Sequence, residues 1–282
     1  MNLFSGLEKF GLKSAESMKL FEDEQKEDKK GSETHAEEKI PAESEFLLDK
    51  TVQCKVCDHK FKTKVIKSGR VKRLEPDRDL RPRFQYIDTL KYDVTSCPAC
   101  GYTAMNRYYE HLTPGQAKLI KEQIASNFHM ENKEENQTYD YDEAIDRYKL
   151  SLVNTVVKKG KDSEKAYTCL KIAWLLRGKI ETLSEDTQED KATKAACQKE
   201  EEEFYQQAFE GFMKAISEEM FPMCGMEQST VDYLLAYMAY HFKKYEIASK
   251  FLASVLTAPS ASRRMKDMAL ELKEDIIAQL RK

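Results

Sequence analysis

Cys54-Lys55-Val56-Cys57 and Cys97-Pro98-Ala99-Cys100-Gly101-Tyr102 are the two pieces of sequence on which the fold of this 282-residue chain turns. Each offers two thiols in a tight hook, and 39 residues lie between Cys57 and Cys97. Two such hooks supply the four sulfurs that a tetrahedral structural site takes. Cys54, Cys57, Cys97 and Cys100 are therefore read as the ligands of one structural Zn2+. Pro98 fixes the second turn, and Gly101 supplies the positive φ that follows a second ligand. Asp58 stands at that place in the first hook, and Asp tolerates the left-handed conformation better than most residues.

Strand-like pieces flank both hooks. Phe46-Leu47-Leu48 starts an extended segment, Lys60–Ile66 alternates polar and apolar, and Lys91–Thr95 leads into Cys97. Strand, hook, strand and second hook is the layout of a zinc ribbon over residues 46–105. Four thiolates close the tetrahedron and leave no position for water or substrate, so the metal is expected to be structural rather than catalytic. His59 lies two residues past Cys57 but competes with four cysteines and is read as facing solvent. A thioredoxin-like role needs the cysteine pair at the start of a helix after a buried strand, and nothing around Cys54 reads so.

The formal charge of −3 hides a segregation. Residues 1–50 hold 8 Lys/Arg against 13 Asp/Glu, whereas residues 51–100 hold 12 against 6. The ribbon is thus the basic part of an otherwise acidic chain, which keeps a polyanion in view. Within it, residues 60–83 carry ten Lys/Arg against three acids, with Phe61, Phe84 and Tyr86 among or just after them. Basic side chains interleaved with aromatics suit single-stranded nucleic acid, and Lys64, Lys67, Arg70, Lys72, Arg73, Arg78, Arg81 and Arg83 are the candidate contacts. The competing reading is a small metal-held domain covering its strands with polar groups, Arg78 pairing internally with Asp77 or Asp79.

Residues 1–21 form a short amphipathic segment (Leu3, Phe4, Leu7, Phe10, Met18, Leu20, Phe21) followed by a charged stretch, 22–45, read as a disordered linker. The segment is read either as a docking peptide for a partner groove or a membrane face, or as packing on the chain's own helices or fraying. No apolar signal region follows Met1, and no run approaches the 18 apolar residues that span a bilayer. Paired Cys-x-x-Cys hooks then point to a reducing cytoplasm, with no integral membrane association.

Residues 106–282 read as helix after helix. Thr113-Pro114 is a helix start, with Ala117, Ile120, Ile124 and Phe128 following at helical spacing. A polar break, Met130–Thr138, comes next. Ala144 with Tyr148, Ala208 with Phe212 and Ala248 with Leu252 repeat the small-then-large pair of a tetratricopeptide second helix. Ala173 and Ala236 take the small position of first helices. The spacing is irregular, and plain helical hairpins are the alternative. Such repeats present a groove for peptides. Tyr233, Tyr237, Tyr240 and Tyr245 form an aromatic stripe that is either core or a partner surface. Cys169 and Cys197 read as buried, and Cys224 as a loop thiol.

The fold class is accordingly α+β by chain and mostly α: a small four-cysteine zinc ribbon followed by a tetratricopeptide-like α-helical repeat domain. The hooks, the closing Cys97–Tyr102 motif and the helical remainder together resemble a bacterial group found largely in Firmicutes, the domain-of-unknown-function family 2225. The opening Met1–Leu12 is similar to its clostridial members. The resemblance covers roughly residues 45–280; it implies zinc-type ligation by the four cysteines and no assigned activity. No Gly-rich phosphate loop, His-Glu-x-x-His or triad is present. The expected function is a non-catalytic adaptor that binds a protein or peptide partner, with nucleic-acid binding through residues 60–86 as the alternative and no small-molecule substrate.

Overall fold

Both hooks turn out to be turns of β-hairpins. Leu47–Gln53 (β1) pairs antiparallel with Lys60–Ile66 (β2), Leu47 opposite Ile66 and Gln53 opposite Lys60, and the first hook joins them. The alternation in β2 buries Phe61 and Thr63 and leaves Lys60 and Lys62 in solvent. Val94–Ser96 (β3) and Thr103–Met105 (β4) form a shorter antiparallel hairpin around the second hook. The structure, a computed structural model, describes residues 40–129 and 136–281. The amphipathic segment 1–21, most of the linker 22–45 and most of the polar break after Phe128 lie outside the described residues.

Two sequence expectations shift here. Lys91–Asp93 does not extend β3: Thr89–Tyr92 is a 3-10 turn, because the Asp88 carboxylate accepts the Leu90 N–H at 3.0 Å. Glu43 then draws Lys91 Nζ and the Tyr92 hydroxyl to itself, each at 2.8 Å. The described end of the stretch read as linker is structured, with a 3-10 turn at Glu43–Phe46.

After β4 come Asn106–Tyr109 (α1) and Pro114–Ile120 (α2), the latter opened by a capping box between Thr113 and Gln116. One π-helical turn, Lys121–Ala125, ends that helix. Phe128, expected on its apolar row, instead lies beyond it in a loop, its ring against Gly101. Six longer helices follow: Tyr141–Val157 (α3), Asp162–Thr182 (α4), Gln188–Glu218 (α5), Gln228–His241 (α6), Tyr245–Thr257 (α7) and Arg263–Leu280 (α8). Asp140, Thr187 and Ser262 cap α3, α5 and α8 with their side-chain oxygens. The charged stretch 185–203 mostly lengthens α5, which runs 31 residues.

The helices pack as antiparallel hairpins, α4 most closely on α5 and α6 on α7. Ala144, Ala173, Ala208, Ala236 and Ala248 are fully buried at these contacts, as are Tyr148 and Phe212. Small side chains let the helix axes approach, and the large neighbours fill the space between. The β3–β4 hairpin packs on α3 and shares its core, with Val94 and Met105 in one cluster with Tyr148. Within the described residues, 40–281 is one compact unit.

Candidate metal centre

The two hooks are built alike. Cys54 N–H donates to His59 O at 2.9 Å and Asp58 N–H to Cys54 O at 3.1 Å; Cys97 N–H donates to Tyr102 O at 2.8 Å and Gly101 N–H to Cys97 O at 3.0 Å. Asp58 and Gly101 both sit in the left-handed region, at φ 60° and 71°, as the sequence predicts. At Gly101 there is a second requirement for glycine, since a Cβ would lie 2.5 Å from the Phe128 ring.

Facing each other, the hooks bring Cys54 Sγ to 3.5 Å from Cys100 Sγ and Cys57 Sγ to 3.7 Å from Cys97 Sγ. All four sulfurs lie within 4.8 Å of one another. A tetrahedral ion with metal–sulfur bonds of about 2.3 Å spaces its sulfurs about 3.8 Å apart, so the donor set fits such an ion. Disulfide bonding, which needs about 2.05 Å, does not describe these contacts. Cys54, Cys97 and Cys100 are buried, and Cys57 is exposed. His59 is exposed and lies outside the cluster, its ring parallel to that of Phe61.

Hydrogen bonds from Cys100 and Cys97, with the amides of Val56 and Cys57, hold the Cys54 thiol far down, at about 2. Donating to Cys54 and Cys97, together with burial, pushes Cys100 far up. A bound dication would favour ionisation of the ligating thiols together.

Three contacts fix the cluster to the rest of the fold. The Tyr102 hydroxyl donates to Tyr109 O at 2.9 Å, and the two rings lie 4.8 Å apart. Lys55 pairs with Glu110 at 2.6 Å, tying the first hook to the end of α1. Asn154, fully buried on α3, donates to Gly101 O at 3.0 Å. The sequence carries no signal for Asn154 or Tyr109, because a contact between distant positions leaves no local pattern.

The basic insert lies elsewhere and does something unexpected. Residues 72–85 fold back on themselves, Leu74 N–H donating to Arg83 O and Gln85 N–H to Lys72 O. This strap docks on the helices. Asp79, 1% exposed, accepts from Trp174 Nε1 at 2.9 Å and from Arg177 at 2.7 Å, both on α4. Arg81, 2% exposed, reaches Glu181 at 3.0 Å and Asp88 at 3.2 Å. Gly178 on α4 makes room: a Cβ there would come within 2.6 Å of the Arg81 guanidinium. Arg83 is bidentate to Asp77 at 2.7 and 2.8 Å and also holds Glu181. Burial opposes the charge on Glu181, but Arg83 and Arg81 outweigh it and keep its carboxyl below the usual range.

Arg78 pairs internally, but neither Asp77 nor Asp79 is its partner; it reaches Asp275 on α8, at 2.6 Å. Lys64 pairs with Asp49 at 2.7 Å, and Lys67 donates to Glu45 O at 2.9 Å. Arg70, Lys72 and Arg73 are exposed.

The tyrosine stripe divides. Tyr233 is buried, Tyr237 lies half-buried beneath the Arg78 guanidinium, 5.8 Å away, and Tyr240 and Tyr245 are half-buried with rings 6.1 Å apart. Cys224, expected in a loop, is buried there: Met223 and Met226 exchange backbone hydrogen bonds at 3.0 and 2.8 Å around it, and its thiol donates to Ser163 O at 3.2 Å. Cys169 and Cys197 are buried, as expected.

A family described as "Uncharacterized protein conserved in bacteria (DUF2225)" matches residues 47–276. The chain belongs to that family. In this DUF2225 chain the matched span takes in both hooks, the strap and nearly all of α8. No curated protein and no solved structure matches the chain. Among the described residues no helix is long and apolar enough to cross a membrane.

Proposed function

We propose that this chain is a non-catalytic binding module with one structural Zn2+ on Cys54, Cys57, Cys97 and Cys100 and a tetratricopeptide-like helical surface for a protein or peptide partner. The observation that carries it is the convergence of four cysteine sulfurs at 3.5 and 3.7 Å across the hooks. Four sulfur ligands complete a tetrahedral shell, so the ion would cross-link the β1–β2 turn to the β3–β4 turn and leave no position for substrate. All-sulfur coordination in a reducing cytoplasm suits zinc among the common ions.

The partner surface is best sought at Tyr240 and Tyr245, since Tyr233 is buried and Tyr237 is covered by Arg78. Nucleic acid is an outcome of the test rather than the proposal, because Arg78, Arg81 and Arg83 already face internal carboxylates.

Protein made under reducing conditions with zinc supplied is expected to contain one zinc per chain; metal-free protein overturns the first half. A photo-crosslinking residue at position 240 or 245 in native cells is expected to give discrete protein adducts absent with the same residue at exposed Val153. Equal adducts at all three positions, or co-purifying nucleic acid instead, overturn the second half.

A further inference from the structure

Tyr109 is 2% exposed, yet its hydroxyl finds no hydrogen-bond partner among the described residues. A buried donor without an acceptor is costly, and native folds rarely keep one without a reason. The ring belongs to the same buried cluster as Cys54, Cys97 and Cys100. The Cys54 and Cys97 sulfurs are among the groups that act on this hydroxyl. Its position is held from behind: its own carbonyl takes the Tyr102 hydroxyl, and Glu110 is pinned to Lys55 of the first hook.

An acceptor for this hydroxyl appears when the cysteines become metal-bound thiolates. Cys54 Sγ now engages the Cys100 thiol at 3.5 Å and the Val56 amide at 3.4 Å. With a cation in place the thiol protons are gone, and an anionic sulfur seeks donors in their stead.

We propose that Tyr109 is a positioning residue for the metal centre, donating its hydroxyl hydrogen to the Cys54 thiolate once the ion is bound. It rests on the metal half of the proposed function. The hydroxyl drains charge from one sulfur, which strengthens retention of the ion and makes Cys54 a poorer nucleophile. Exposed Cys57 has no such cover and is left as the ligand at which exchange begins.

The test is Tyr109→Phe in the full chain, which keeps the ring and deletes only the orphan hydroxyl. Zinc affinity, measured by competition with a chromogenic chelator, is expected to fall about 10–100-fold, the usual effect of losing a partner of a metal ligand. With Co2+ as probe, the sulfur-to-metal charge-transfer band is expected to move to lower energy, because a thiolate without its hydrogen bond gives up an electron more easily. A purely packing role predicts otherwise: the metal-free variant becomes more stable through loss of an unpaired donor, while affinity and the Co2+ band stay put. That result overturns the inference even when wild type binds one zinc. Wild type that binds no metal at all overturns the underlying metal site instead. Tyr109→Trp, which returns a ring N–H donor, is a second variant; a band that stays at the Phe position despite native circular dichroism also counts against a donor role.

Discussion

Asp79→Ala tests the feature that most changes how the surface of this chain is understood. The carboxylate is 1% exposed and accepts from Trp174 Nε1, Arg177 and, at 3.4 Å, the Arg81 amide. Removing one partner of a buried ion pair costs about 3–5 kcal/mol. Arg177 keeps Glu201 at 2.8 Å and Asp77 at 3.8 Å, which places the loss near the lower end, about 3 kcal/mol. For a unit of this size each kcal/mol moves Tm by about 2–4 °C, so a fall of about 6–12 °C is expected by far-ultraviolet circular dichroism with zinc present. Trp174 is the chain's only tryptophan and reports directly. Its emission should shift to the red and become open to quencher, because the strap no longer shields it. Asp79→Asn retains an oxygen for the indole but loses the charge, and should fall between. A Tm within about 2 °C of wild type with unchanged emission would refute the docking of the strap on α4.

Gly101→Ala meets both a φ of 71° and the Phe128 ring 2.5 Å away, and should cost about 1–3 kcal/mol, with Phe128→Ala relieving only the steric part in a double-mutant melt. Burial raises the Asp232 carboxyl above its ordinary 3.8, while Ser254 Oγ donates to it at 2.6 Å. A raised folded value means the group's contribution is fully present below 3.8 and lost as pH rises through the folded value. Asp232→Asn, still able to accept from Ser254, should therefore raise Tm at neutral pH, with the gain shrinking as the pH of the melt approaches the ordinary value. Metal binding by such sites is worth about 10–16 kcal/mol in small peptides, so a chelator should open residues 47–112 to protease while α4–α8 keep their circular dichroism. In the chelated chain iodoacetamide should label all four ligand cysteines while buried Cys169, Cys197 and Cys224 stay protected; labelling of those three with loss of helix would place the metal's influence over the whole unit instead.

The hooks were legible because ligand geometry is local. Two cysteines three apart and a residue able to take positive φ specify a turn almost independently of the rest, and Asp58 and Gly101 adopt it. The hairpin alanines were legible for a similar reason: helical periodicity and the need for a small residue at a close crossing write themselves at fixed spacings. The strap was not. Its composition suits a solvated polycation, and only Trp174, Arg177 and Glu181, about a hundred residues later, turn it into buried structure. Charge pairing between such distant positions has no periodicity to read. Lys91–Asp93 failed for a smaller reason, since β-like composition yields to the side-chain hydrogen bonds of Asp88 and Glu43.

This pairing also joins two surfaces that the sequence treats as alternatives. One arginine offered to nucleic acid meets one tyrosine offered to a peptide, Arg78 over Tyr237, while Arg81 and Arg83 pair with Glu181 on α4. A partner that needs Tyr237 must first displace a strap tied into the fold on both sides, by β2 before it and the Asp88-capped turn after it. Such a competitor sits at high effective concentration, and a separate peptide overcomes it only with stronger contacts. A partner that uses Tyr240 and Tyr245 faces no such competition. Releasing the strap by Asp79→Ala therefore separates the two: it should strengthen binding that runs through Tyr237 and leave binding at Tyr240 and Tyr245 unchanged.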